Sequence, residues 1–137
     1  MPDELSYQRL IITVVKDHGG FAFKSSNRFL VGVADLWVGL PPYRLAFLEC
    51  KLNPIPKRKH SVALGTTVQQ ERFLTNVRKG GALAGVVSFI RDDKQLGMVI
   101  VPETVKEVPL TSYRFMTHVF RQVLVETVLE RWFNGTR

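Results

Sequence analysis

The segment Arg44-Leu-Ala-Phe-Leu-Glu-Cys-Lys51 constrains the fold of this chain more than any other. Leu45, Ala46, Phe47, Leu48 and Cys50 make it apolar on both faces, the pattern of a strand buried in the middle of a sheet. Successive strand side chains alternate between faces, so Glu49 and Lys51 point together to one side while Cys50 points to the other. Charges within such a strand are costly and call for a purpose. Asp35 lies upstream in Gly32-Val-Ala-Asp35-Leu36, where a paired strand aims it at the same point. A plainer reading has Asp35 capping backbone amides, with Glu49 and Lys51 as an exposed cross-strand charge pair. The apolar residues around Glu49 favour a site.

The remaining elements follow from periodicity. Leu5, Leu10, Ile11, Val14 and Val15 have helical spacing between Glu4 and His18, and Gly19-Gly20 ends that helix. Strand material from Phe21 to Leu40 is interrupted around Lys24 to Arg28, and Gly39-Leu-Pro-Pro-Tyr43 is the turn into a return strand over Arg44 to Lys51. Asn53 to His60 holds two prolines and the densest basic cluster, and is expected to be an exposed loop. Thr66 or Thr67 caps a second helix reaching about Lys79, with Val68, Phe73, Leu74 and Val77 as its apolar stripe. Ala82 to Ile90 and Gly97 to Val101 read as two strands. A closing helix is expected over about 112–133, offering Phe115, Val119, Phe120, Val123, Leu124, Val128, Leu129 and Trp132 for packing. This alternation predicts an α/β fold, a central mixed β-sheet flanked by helices.

A chain of 137 residues fits one domain with its own core, here about 4–102 followed by the closing helix. Its single cysteine excludes an intramolecular disulfide and a cysteine-based zinc site. No apolar run is long enough to span a membrane, and the acidic amino end is unlike a signal peptide, so a soluble intracellular protein of the cytoplasm or nucleoid is expected. Nineteen Lys and Arg against 12 Asp and Glu give a net charge of +7, which favours a polyanionic partner. His18, His60 and His118 lack metal-ligand spacing.

Two carboxylates and a lysine at one point suit phosphodiester hydrolysis. The acids hold one or two hard cations that polarise a phosphoryl oxygen and activate water, and the ammonium group stabilises developing charge. These residues resemble the PD-(D/E)xK nucleases, and most closely the VRR-NUC domains and Holliday-junction resolvases. The resemblance rests on Gly32-Val-Ala-Asp35-Leu36, on Glu49-Cys50-Lys51, and on a following helix with Gln69-Gln70, Phe73-Leu74 and Gly80-Gly81, roughly residues 4 to 90. It implies a restriction-endonuclease-like core of helix, three strands, helix and strand, with dependence on Mg²⁺ or Mn²⁺. By the same resemblance Asp35 and Glu49 are metal ligands, the Cys50 backbone carbonyl completes the shell, and Lys51 orients water or stabilises the transition state. Gln70 matches the helix glutamine, with Gln69 as the alternative. Glu4 is the candidate for an additional acid on the first helix, with Asp3 behind it. Ala34 stands where the family often has proline, and the chain from Lys106 onward matches no part of the pattern.

Lys57, Arg58, Lys59 and His60 are expected to contact backbone phosphates, with Lys24, Asn27 and Arg28 as a second set. The resemblance points to branched, duplex or Holliday-junction DNA as substrate and to a role in recombination or repair. The apolar closing helix offers a face for a homodimer. The competing reading is a non-catalytic module that binds nucleic acid or protein on a nuclease scaffold; a sequence-specific restriction-type enzyme finds no recognition insert to support it.

Overall fold

A computed structural model describes residues 2–25, 32–41 and 45–135. Helix α1 (Glu4–Asp17) begins at Asp3, whose carboxylate accepts a 2.9 Å hydrogen bond from the Ser6 amide. It ends at His18, before Gly19 with its left-handed φ of 80°. Strands β1 (Phe21–Lys24), β2 (Leu36–Gly39) and β3 (Ala46–Pro54) form an antiparallel meander. The short β4 (Ser61–Ala63) precedes α2 (Val68–Lys79), which carries the chain across to β5 (Leu83–Arg91), parallel to β3. Strand β6 (Gln95–Val101) pairs antiparallel with β5, and β8 (Arg114–Thr117) with β6, giving the sheet order β1-β2-β3-β5-β6-β8. The α-β-β-β-α-β order is therefore present, with β4 added between β3 and α2.

Strand β3 is central, as its sequence requires. Leu48 and Cys50 join Leu36, Val38, Val87 and Phe89 in a core against α1 and α3 (Arg121–Gly135), while Phe47 joins Val86, Ile90 and Leu74 on the α2 side. Glu49 and Lys51 share the parity of Phe47 and so belong to the α2 face.

Two stretches depart from the sequence expectation. Strand β3 continues beyond Lys51, into the expected loop, as far as Pro54 opposite Arg91. The Ile55 amide donates to the Arg91 carbonyl at 2.9 Å. Alternation therefore turns the proline nitrogen of residue 54 to the other side, beyond the end of β2, where a missing N–H loses no ladder bond. The basic residues that follow are fixed at their far end, where the His60 carbonyl accepts from the Leu110 amide and β4 pairs with β7 (Glu107–Pro109) in a small second sheet.

The closing helix is shorter than expected. A 3-10 turn at Leu110–Ser112, strand β8 (Arg114–Thr117) and a second 3-10 turn at His118–Phe120 precede α3 (Arg121–Gly135). Pairing of β8 along β6 satisfies that strand's otherwise open edge. Tyr113 and Phe115 alternate into the α2-side core, with the Tyr113 hydroxyl 2.7 Å from Ser88 Oγ in a buried contact. Phe115 lies over Gly97, where an added Cβ would meet its ring at 2.6 Å. Leu124, Val128 and Leu129 are buried as expected, whereas Val119, Phe120 and Val123 are exposed. Among the described residues no helix is long and apolar enough to cross a membrane.

The carboxy end of α2 is tied down by a buried acid. Glu103 is fully buried, accepts from Arg78 Nη1 at 2.7 Å and from Thr75 Oγ1 at 2.9 Å, and the same guanidinium donates to the Ala84 carbonyl at 2.9 Å. That network fixes α2 against the sheet.

Candidate active site

Asp35 is placed by a glycine three residues before it. Gly32 has φ of 84°, and a Cβ there would come within 2.6–2.7 Å of the Gln69 backbone and Cβ. Only glycine lets the segment press so closely on the start of α2. Ala34 is fully buried, and Asp35 then opens toward β3. Leu36 pairs with Leu48, and extending that antiparallel register by one residue sets Asp35 opposite Glu49. Asp35 Oδ2 accepts from the Cys50 amide at 2.9 Å, and the Asp35 carbonyl accepts from the Ser25 amide at 2.9 Å. A residue's N–H and C=O point to the same side of a strand, so the Cys50 carbonyl lies on the Asp35 side.

Glu49 is the most confined of the three charged groups, with 4% of its surface exposed. Its Oε1 accepts from Gln70 Nε2 at 2.7 Å, and its Oε2 is buried without a hydrogen-bond partner. Burial, and after it the charge of Asp35, pushes the Glu49 carboxyl up to about 8, against the opposing pull of Lys51. Lys51 Nζ is 4.0 Å from Glu49 Oε1 and donates to Gln70 Oε1 at 3.0 Å. The glutamine is itself fixed by a capping box: its Oε1 accepts from the Thr67 amide at 3.0 Å, and its amide donates to Thr67 Oγ1 at 3.1 Å. Two donors facing Oε1 and a carboxylate facing Nε2 define which way the side-chain amide points.

Glu4, in the first turn of α1, approaches the same charges. Its carboxyl is held above the usual range by burial and by Asp35, and pulled down by Lys51, by a hydrogen bond from Gln8 and by Lys24. Asp3, its alternative, is instead the helix cap. Cys50 turns its thiol into the opposite core, where burial raises its pKa well above the ordinary value. Lys24 is exposed opposite Leu36, at the rim of the group. Asn27 and Arg28 lie outside the described residues. Lys57, Arg58, Lys59 and His60 are exposed in the segment that follows β3. His18 and His118 are engaged with the carbonyls of Val14 and Asp92.

The sequence reading missed the Gly32–Gln69 contact and the return bond from the Gln70 side chain to the Thr67 amide, while its choice of Thr66 or Thr67 as the cap resolves to Thr67. The Thr67-x-x-Gln70 spacing was the available signal, and it selects Gln70 over Gln69. Among the described residues no three His, Cys, Asp or Glu side chains are gathered as a metal cluster. A hard cation nevertheless suits the donors present: two opposed carboxylates, one with an orphaned buried oxygen, beside a backbone carbonyl.

A solved structure described as a VRR_NUC domain is similar to this chain, with 26% identity over 61% of this chain and 81% of that one, at a TM-score of 0.46. No protein-family model and no curated protein matches the sequence.

Proposed function

We propose that this chain is a divalent-cation-dependent endonuclease that hydrolyses phosphodiester bonds in branched DNA. The observation that carries the reading is the opposition of Asp35 and Glu49 across β2 and β3, with the orphaned Glu49 oxygen and Lys51 beside them. Two like charges forced together in a buried place disfavour the ionised pair unless a cation joins them. Asp35, Glu49 and the Cys50 carbonyl would hold Mg²⁺ or Mn²⁺, and Glu4 would add a further acid from α1. When bound, the cation polarises a phosphoryl oxygen and makes water a better nucleophile.

The protein groups divide the remaining work. Gln70 orients Glu49 and Lys51 at once, since its amide bonds to both. Lys51 places its ammonium group where negative charge builds on the phosphate as water attacks and the leaving oxygen departs. Lys24 and the exposed cations from Lys57 to His60 bind the DNA backbone without reading its sequence. Branched DNA, including the four-way junction, comes from the sequence resemblance.

Two measurements test the reading. Calorimetric titration with Mn²⁺ should give binding to the wild type that Asp35→Ala and Glu49→Ala both lose. Labelled four-way-junction, flap, duplex and single-stranded DNA, incubated with Mg²⁺, Mn²⁺ or EDTA, should be cut only with cation, and the branched substrates fastest. Absence of both Mn²⁺ binding and cleavage would leave a binding module and overturn the proposal.

A further inference from the structure

A row of aromatic rings leads from the candidate site to the open edge of the sheet, and the reaction described above uses none of them. Phe21 and Phe23 flank Ala22, which enters the α1-side core, so both rings stand on the α2 face with Trp37. Phe23 is paired with Trp37, and their ring centroids are 5.1 Å apart; Trp37 then meets Phe47 at 5.2 Å. The inner end of the row is core. The outer end is in water, with Phe21 52% and Phe23 47% exposed.

Three features distinguish this outer end from stray surface apolarity. The two exposed rings are nearly parallel, 21° between planes and 6.4 Å between centroids. Phe21 is seated by design of the backbone beneath it, because a Cβ on Gly39 would come within 2.4 Å of the ring. The row also starts beside the acids: Trp37 follows Asp35 on the same face, roughly 7 Å along the strand, about one nucleotide's reach from a phosphate held there. Exposed Lys24, next along the strand, alternates to the α1 face, so the complementary charge is that of the chain as a whole, +7.

A flat apolar partner attached to a polyanion satisfies both the rings and the charge. Nucleobases are such partners, since every base has a π face that stacks on aromatic side chains whatever its identity. Bases inside a continuous duplex are already stacked on one another and offer none. We propose that Phe21 and Phe23, backed by Trp37, form a stacking platform for unpaired bases next to the scissile phosphate. The substrate class is then DNA with a single-stranded segment at the cut, such as a flap, an overhang or an opened branch point. The position of the scissile phosphate rests on the nuclease reading above, while the platform itself binds without cleavage.

The test measures binding in EDTA by fluorescence anisotropy, using one dye-labelled oligonucleotide as a single strand and as a blunt duplex. Wild type is compared with Phe21→Ala, Phe23→Ala, Phe23→Leu and Phe21→Tyr, each checked for an unchanged circular dichroism spectrum. Phe23→Leu keeps apolar bulk without an aromatic face. Single-strand affinity should fall roughly tenfold or more in the two alanine variants and in Phe23→Leu, and be kept by Phe21→Tyr, with duplex affinity unchanged. Wild-type single-strand affinity in the alanine variants would overturn the platform, as would full retention by Phe23→Leu, which would show that apolar bulk and not an aromatic face is needed. The same preparations, given Mg²⁺ and labelled flap and four-way-junction DNA, separate the two claims. Ring-dependent binding without any cleavage sinks the nuclease reading and keeps the platform; cleavage with ring-independent binding does the reverse.

Discussion

Lys51 stands 4.0 Å from Glu49, but the contact between them runs through Gln70, which accepts from the lysine at 3.0 Å and donates to the glutamate at 2.7 Å. The glutamine in turn depends on Thr67, so the start of α2 sets the spacing of two charges on β3. Gln70→Ala removes the bridge while leaving the bond from the residue 70 amide to Thr67 Oγ1. Its expected effect is a loss of about 10²-fold in cleavage rate, the scale of a displaced catalytic group, with stability lowered by about 1 kcal/mol or less. Single-turnover cleavage and a denaturant melt check the two figures. A stability loss with unchanged cleavage would reduce Gln70 to a helix cap.

The confinement of Glu49 makes stability depend on pH in a defined direction. Its carboxyl ordinarily titrates at 4.5 and is raised to about 8 in the fold. Between those values the folded chain keeps a proton that the unfolded chain has released, so stability contributed by this group falls as pH rises through the window and levels off above it. Glu49→Gln removes the dependence. In EDTA the variant should match the wild type below pH 4.5 and exceed it progressively up to about pH 8, by a few kcal/mol at the upper end. Thermal melts across that range test this, and an equal pH response in both proteins would contradict it.

Gly32 and Gly19 both have left-handed φ, but only Gly32 is pressed against other atoms. Gly19→Ala should cost about 1 kcal/mol in backbone strain and leave cleavage intact. Gly32→Ala adds a clash with the Gln69 backbone and should displace Asp35, cutting activity by an order of magnitude or more in protein that still folds. Comparable activity in the two variants would disconnect Gly32 from the site.

Glu103 provides the opposite case, a buried charge with a structural task. Removing it in Glu103→Ala leaves Thr75 without its acceptor and Arg78 with the Ala84 carbonyl alone, and should destabilise the chain by about 2–3 kcal/mol. Cleavage measured well below the melting transition should remain within a few fold of wild type. Strong inactivation of a folded variant would give Glu103 a part in the site.

Legibility from sequence varied with how local the determinants were. The double-faced apolarity of Ala46 to Cys50 was enough to identify a central strand, and its alternation placed Glu49 and Lys51 on one face and Cys50 on the other. The Thr67 cap and the end of α2 at Lys79 were also local signals. The start of the closing helix was not, because Tyr113 to Phe120 carries enough apolar residues to pass for helix, and what makes Arg114–Thr117 a strand is the vacant edge of β6, distant in sequence. At the site the convergence of Asp35 with Glu49 was legible from two neighbouring strand segments, whereas no local pattern foretells that Gly32 must clear Gln69. Trp37 and Phe73 read as core from spacing alone. Trp37 is in fact half-buried, between exposed Phe23 and buried Phe47.

The most direct measurement is single-turnover cleavage of labelled branched DNA by wild type, Asp35→Ala and Lys51→Ala, each with Mg²⁺ and with EDTA. The account predicts cleavage by the wild type with Mg²⁺ alone, and none by either variant, though both fold and retain most of their DNA affinity. Cleavage at the wild-type rate by either variant, or equal cleavage in EDTA, would contradict it.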